Sequence, residues 1–413
     1  MNHTSSWKYL SLAGLCGTAI LAADIALADI TMEYGANVRY RYEHFDRDED
    51  ATTPPGATSK ASTVRLGVFA KAKLNENLSA FVDLEAVEQL FEDDYNIPTI
   101  PGQTIPGYPV IADPQGTEVN QAYVAYNNAA YNTQVRIGRQ EVMLNNGRFI
   151  STSGWRQNHQ SFNAGTASVS PLDNLKLDYG YLARVQRVVG SEASNGRADM
   201  DSHFFNIAYS IPDIGIVKGY GVLLDFDDEL TNSADTFGLR FEGNMPLGTM
   251  RLLSTLEYAT QTEAGDNPND IDAQYLLLEA GLQISNIAYR LGYNIVGADS
   301  ATDKFITPLA HPFNGWTELF LNNPSLGADK HGLEVWYASA TGKVPGTEQL
   351  TFTTALYDYN ADTGSASYGN GLDLGLEYRG VANTLLGWRF GLYDADELFS
   401  DALRTSLYAA HTF

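Results

Sequence analysis

From about residue 30 onward, apolar and polar residues alternate in runs of ten or so, and each run is closed by a break in the pattern. Val38, Tyr40 and Tyr42 interleave with Asn37, Arg39, Arg41 and Glu43, and Val64, Leu66 and Val68 interleave with Arg65, Gly67 and, further on, Lys71. The same alternation runs through Leu175–Ala183, Ile287–Ile295 and Leu372–Tyr378. A period of two is strand geometry, with successive side chains on opposite faces.

The breaks alternate in length. Short ones fall near 75–77, 128–132, 171–173, 212–215, 244–248, 285–286, 341–346 and 380–383. Long ones fall near 47–60, 91–118, 145–160, 190–200, 262–271, 297–330, 360–368 and 398–401. Short turns on one side and long loops on the other are the habit of outer-membrane barrels. The pattern therefore predicts an all-β protein, a transmembrane antiparallel up-and-down β-barrel of about 18 strands, with 16 as the alternative count. The turns are expected in the periplasm and the loops outside the cell. The last residues, Leu407, Ala409, His411 and Phe413, share one parity and end on an aromatic, as a barrel's closing strand does.

Composition narrows the class. Charged residues make up only 18% of the chain, while Tyr, Phe and Gly are abundant. No apolar run beyond the N-terminus reaches the ~20 residues of a spanning helix. A membrane protein without such helices must close a barrel, because lipid leaves no backbone group unpaired. Residues 1–28 read as a signal peptide: Lys8, an apolar stretch from Leu10 to Leu21, and an Ala26-Leu27-Ala28 cleavage site. The barrel is assigned to residues 29–413, in the outer membrane of a Gram-negative bacterium. Cys16, the one cysteine, lies in the signal segment and leaves the mature chain without thiol chemistry. A formal charge of −24 argues against nucleic acid as a partner.

Basic residues follow the polar parity. Arg39, Arg41, Arg65, Lys71, Arg136, Arg184, Arg240, Arg251, Arg290, Arg379 and Arg389 are all expected to face the lumen, since an Arg facing lipid at mid-depth costs about 2–4 kcal/mol. Two readings stay open: an arginine ladder that favours anionic or sugar-like solutes, or cross-strand pairs with acids that merely fill the interior. The acidic loop runs, such as Asp46–Asp50, are solvated charge or a cation bridge to lipopolysaccharide, with lipid and lipopolysaccharide as the expected surroundings. The scattered histidines have no metal-ligand spacing, and no phosphate loop or nucleophile elbow occurs, so neither a cofactor nor an enzymatic activity is expected.

Two segments exceed generic barrel patterning. The first is Val135-Arg136-Ile137-Gly138-Arg139-Gln140, with Asn146-Gly147-Arg148-Phe149 and Trp155-Arg156-Gln157 after it. The second is Phe305-Ile306-Thr307-Pro308-Leu309, then His311 and Phe313-Asn314-Gly315-Trp316. Both resemble signature segments of the alginate-export family of outer-membrane porins, and the likeness spans residues 30–413. The resemblance implies a single-chain, monomeric barrel with an electropositive constriction and loops that gate it. Arg139, Arg148 and Arg156 are then expected near the pore mouth. Thr307, Pro308, His311, Asn314 and Trp316 are expected in a loop that folds inward as the constriction. The leading reading is a porin-like channel; a dedicated exporter of an acidic exopolysaccharide and a low-conductance adhesion barrel are the alternatives.

Overall fold

The computed structural model describes residues 30–48, 58–311, 313–320, 331–396 and 399–413. The expected signal peptide lies outside the described residues. The strands are β1 (Thr31–Arg47), β2 (Thr58–Lys73), β3 (Leu78–Asp94), β4 (Gly116–Asn128), β5 (Thr133–Gln140) and β6 (Ser161–Leu172). They continue with β7 (Leu175–Gln186), β8 (Arg197–Ile211), β9 (Gly215–Leu224), β10 (Ala234–Leu247), β11 (Met250–Glu263) and β12 (Asp272–Ile284). The last are β13 (Ile287–Val296), β14 (Leu333–Lys343), β15 (Leu350–Asn360), β16 (Ser367–Val381), β17 (Thr384–Ala395) and β18 (Ala402–Thr412).

These form one 18-stranded antiparallel sheet in which each strand pairs with its chain neighbours. The sheet closes because β1 pairs with β2 along one edge and with β18 along the other. Closure satisfies every edge strand, the condition for a sheet to sit in lipid. The strand count expected from the alternation is met. One connection had no counterpart in the pattern, the loop at 225–233 between β9 and β10. Its Asp225, Asp227 and Asp228 continue the polar rhythm of a strand, so the break leaves no trace in hydropathy.

The apolar parity forms the outer wall. Leu291 is 68% exposed, Ile137 68% and Leu239 59%, a degree of exposure that large aliphatics keep only against lipid or a partner. The opposite parity points inward, and three loops fill much of the space it encloses. They are L2 (residues 95–115), L3 (residues 141–160) and the described part of L7 (residues 297–311 and 313–320). L3 crosses the lumen, because it touches opposite walls. Its Gln157 bonds Thr63 of β2, while its Phe149 packs on Tyr220 of β9 and Tyr275 of β12.

Candidate functional site

L3 folds into two lobes, and the sequence dictates which wall each meets. The first lobe is apolar. Val142, Leu144, Phe149 and Ile150 pack with Phe305 and Leu309 of L7 against Phe204, Tyr220 and Tyr275 of the wall. Backbone bonds fix the two loops to each other, Ser151 donating to the Leu309 carbonyl at 3.0 Å and His311 to that of Gly147 at 3.3 Å. The second lobe is polar and meets β1 to β3. Gln157 accepts from Arg39 Nε at 2.8 Å and donates to Thr63 Oγ1 at 2.9 Å. The Arg65 guanidinium, which can only donate, lies 2.6 Å from His159 Nε2. That leaves the ring proton on Nδ1, 2.8 Å from Glu141. Burial acts to raise the Glu141 carboxyl, but hydrogen bonds from His159 and Asn120 outweigh it and hold the group below its usual range.

Where L2, L3, L7 and the wall meet, six charges share one buried cluster: Arg41, Glu43, Asp113, Arg156, Glu318 and Arg404. Glu43 receives Arg404 Nε at 2.9 Å, with Arg156 and Arg41 each at 3.4 Å. Glu318 joins Arg156 to Arg404, the latter at 2.8 Å, and Arg41 pairs with Asp113 of L2. Three cations and three anions balance, the condition under which such burial is tolerated. Desolvation works against the Arg156 charge, yet Glu318 and then Glu43 hold its pKa above the ordinary value.

The second arm of L7 lies against β16 and β17. The Trp316 amide donates to Asp373 at 3.0 Å, and its indole lies over Gly375, where an added Cβ would sit 2.6 Å from the ring. Only glycine leaves room there. Gly375→Val is therefore expected to evict Trp316 and raise single-channel conductance in planar bilayers, whereas Leu374→Val, on the lipid side of the same strand, leaves it unchanged. Trp155 of L3 lies by the same stretch of wall, edge-on to Tyr408 of β18, and Arg389 of β17 is close to both indoles. Its guanidinium is 3.8 Å from the Trp155 ring and 5.0 Å from that of Trp316.

The inward arginines divide into two sets. Arg41, Arg65, Arg156, Arg240 and Arg290 are ion-paired, Arg65 to Glu85 at 3.1 Å, Arg240 to Glu242 at 2.6 Å and Arg290 to Glu279 at 3.0 Å. Arg379 pairs with Glu377 at the turn end, where Arg251 bonds the Asn244 carbonyl at 2.8 Å and Lys71 lies opposite Glu33. Arg39, Arg136, Arg148 and Arg389 make no ion pair among the described residues. Arg39 bonds neutral acceptors, Arg136 bonds Gln134 at 2.8 Å, and Arg148 lies 3.8 Å from the Phe313 ring.

Two expected lumen residues face the other way. Strand register sets Arg139 opposite Asn163, Asn163 opposite Arg184, and Arg184 opposite Asp199, one row across β5 to β8. Arg139 shares its face with Ile137 and so lies on the lipid side. Arg184 reaches that side because a bulge between Leu182 and Arg184 breaks the period of two. The convergence of Arg139, Arg148 and Arg156 therefore does not form. Of the expected L7 residues, Thr307 and Pro308 line a loop-side cavity, the His311 amide bonds Gly147 of L3, the Asn314 carbonyl accepts from Tyr359 of β15, and Trp316 lies over Gly375 of β16. Asp113, Arg404 and Trp155 complete the site without having been singled out as its members. For Arg404 a signal existed: it shares the inward parity of Ser406 and Tyr408.

Two cavities flank the loop layer. One of about 720 Å³ lies on the turn side, lined by Gln140, Leu144, Arg136, Lys176, Asp178 and Lys218. The other, about 470 Å³, lies on the loop side among Arg187, Glu229, Asn269, Lys304, Thr307 and Pro308.

Solved structures similar to this fold include outer-membrane porins. Acinetobacter baumannii OccAB4 aligns with a TM-score of 0.71 at 15% identity, covering 92% of this chain and 98% of that one. Pseudomonas aeruginosa OccK9 (OpdG) aligns at 0.70 and 13% identity, covering 94% and 99%. Pseudomonas aeruginosa OpdK, solved with vanillate, aligns at 0.68 and 12% identity, covering 92% and 98%. Among curated proteins none matches significantly in sequence. The family profile described as alginate export matches residues 31–299, which takes in L3 and stops short of the inner arm of L7. A closed 18-stranded barrel with this match over most of its wall belongs to the alginate-export family of outer-membrane porins.

Proposed function

We propose that the protein is a selective channel for small hydrophilic anions, carboxylates above all, and that Arg389, beside Trp155 and Trp316, is where the solute is recognised. The observation that carries this reading is a guanidinium held by aromatic rings and not by a carboxylate. A paired arginine has its field cancelled at contact range; an unpaired one presents its donors to a solute. The two indoles add flat apolar faces beside it, so a carboxylate on a planar or ring-shaped body is bound at both ends. Arg39 and Arg136 extend the same sign of potential along the lumen. The vanillate in one structural neighbour is a carboxylate of this shape, but the likeness to that protein is one of fold alone.

The free space beside the loop layer favours small solutes over a polyuronate chain, since the cavities described there measure about 720 and about 470 Å³. The test is electrical. In planar bilayers under a KCl gradient the wild type is expected to prefer Cl⁻, and Arg389→Gln to lower the anion-to-cation permeability ratio about threefold. Benzoate on the turn side should reduce wild-type current and leave that of Arg389→Gln unaffected. A cation-selective wild type overturns the proposal.

A further inference from the structure

The lipid-facing arginines have no part in the lumen, and their placement identifies a ligand of a different kind. Arg139 and Arg184 share the row described above, and Arg197 lies on the same face of β8, beside Asp199 and one step nearer the loop side. Below this row the wall carries Tyr179, Tyr181 and His203, with ring centroids 6.0 and 5.2 Å from the histidine. Lower still come Phe205, Ile207 and Tyr209, all exposed. The stretch from Asp199 to Tyr209 measures ~33 Å at ~3.3 Å per residue, or about 25 Å of height at the usual strand tilt. That is the height of the apolar band of such a barrel, bounded below by Tyr209 and above by an aromatic girdle. The arginine row thus stands at the headgroup level of the leaflet on the loop side, the outer one. Cations near the interface are tolerated, but three of them need a further reason.

Their charges are not all compensated. Arg184 is paired with Asp199, through Nη2 at 3.0 Å among other contacts. Arg139 donates only to neutral oxygens, Asn163 Oδ1 at 3.1 Å and the Val119 carbonyl at 3.0 Å. Arg197 is exposed and makes no ion pair among the described residues. Arg139 and Arg197 stand three strand intervals apart, ~14 Å at the spacing of neighbouring strands. That distance is too wide for one phosphate and suits two separate ones on the same headgroup.

We infer that the outer face of β5 to β8 is a binding site for a doubly phosphorylated glycolipid of the outer leaflet. Arg139 and Arg197 each take one phosphate, and the Arg184–Asp199 pair lies between them as a neutral spacer. The acyl chains run down the wall over Ile137, Phe205 and Ile207. A surface cation at a headgroup shifts binding about fivefold, so two of them shift it about thirtyfold.

The experiment uses the full chain, refolded in detergent without bacterial lipid and examined by native mass spectrometry. Probes are hexa-acylated lipid A with both phosphates, the same lipid A dephosphorylated, and inorganic phosphate at matched concentration. The doubly phosphorylated form is expected to stay bound at one copy, the dephosphorylated form to be lost, and inorganic phosphate neither to bind nor to displace it. Arg139→Gln/Arg197→Gln should lower retention about thirtyfold, with single-channel conductance unchanged because neither residue faces the lumen. If that variant does not fold, Arg197→Gln alone, at the exposed start of β8, should lower retention about fivefold. Equal retention of the two forms of lipid A, or by the variants and the wild type, overturns the assignment. Displacement by inorganic phosphate would show a simple anion site and overturn it as well. Ion selectivity is read separately, so failure here leaves the channel reading where it was.

Discussion

Glu43→Ala is expected to raise single-channel conductance severalfold and to lower the thermal stability of the folded barrel. Glu43 is touched by three guanidinium groups, Arg41, Arg156 and Arg404. Its removal leaves the cluster with one positive charge too many in a space that water does not reach. Breaking a buried pair from one side costs about 3–5 kcal/mol, since the stranded charge keeps its desolvation penalty. The molecule relieves this most readily by releasing what is mobile. Arg156 is on L3 and Glu318 on L7, whereas Arg41 and Arg404 are fixed in the wall. Both loops therefore swing away from β1 and β18, and the lumen widens. Glu43→Gln keeps two polar atoms at the site and should have a smaller effect in the same direction. The measurements are conductance histograms and the melting of the heat-modifiable band on a gel. Wild-type behaviour of Glu43→Ala in both would show that the loops are held by something else.

Phe149→Ala is expected to lengthen the open events of the channel with little change in ion preference. Phe149 stacks among Tyr220, Tyr275 and Phe305 at centroid distances of 5.3 to 5.9 Å, so it is the piece that joins L3, L7 and the wall. Truncating a buried phenylalanine costs about 3–5 kcal/mol, part of it for the void left behind. The void here has a particular location, between the turn-side and loop-side cavities. Opening it lets the two communicate, while Arg389 on the other side of the lumen is undisturbed. Gating and selectivity should thus separate, Phe149→Ala altering dwell times and Arg389→Gln altering reversal potential. An unaltered dwell-time distribution would remove the apolar layer from the account of gating.

The wall was legible because each strand has only two faces and lipid penalises the wrong one. Where the rhythm was interrupted, reading by parity failed. The bulge ahead of Arg184 moved that residue from the inside to the outside, and one extra residue in a strand has no signature in hydropathy. The acidic loop at 225–233 was hidden for the opposite reason, since its charges continue the alternation. Arg139 was misplaced because, at the end of its strand, it was grouped with Arg148 and Arg156 at the pore mouth; two residues after Ile137, plain alternation would have placed it correctly. The inward course of L7 was expected from its length and its signature residues. Its partners were not, because Glu43, Asp113 and Arg404 come together only when loops and strands hundreds of residues apart are superposed in space. Whether an inward arginine is cancelled or available is likewise a property of three-dimensional neighbours. Arg65 and Arg389 look alike in their strands and differ only in that one meets Glu85 and the other two indoles.

The pairing of Glu43 with Arg404 joins residues 361 positions apart, from the first strand and the last. Contacts so distant in the chain form late, because the largest loop must be closed before they are rewarded. During assembly the seam between these strands has to zip before the polar lobe of L3 and the inner arm of L7 find their anchor, so a half-built ring would hold its stopper by the apolar lobe alone. The stopper is then seated fully only as the wall is completed, which ties closure of the channel to closure of the ring.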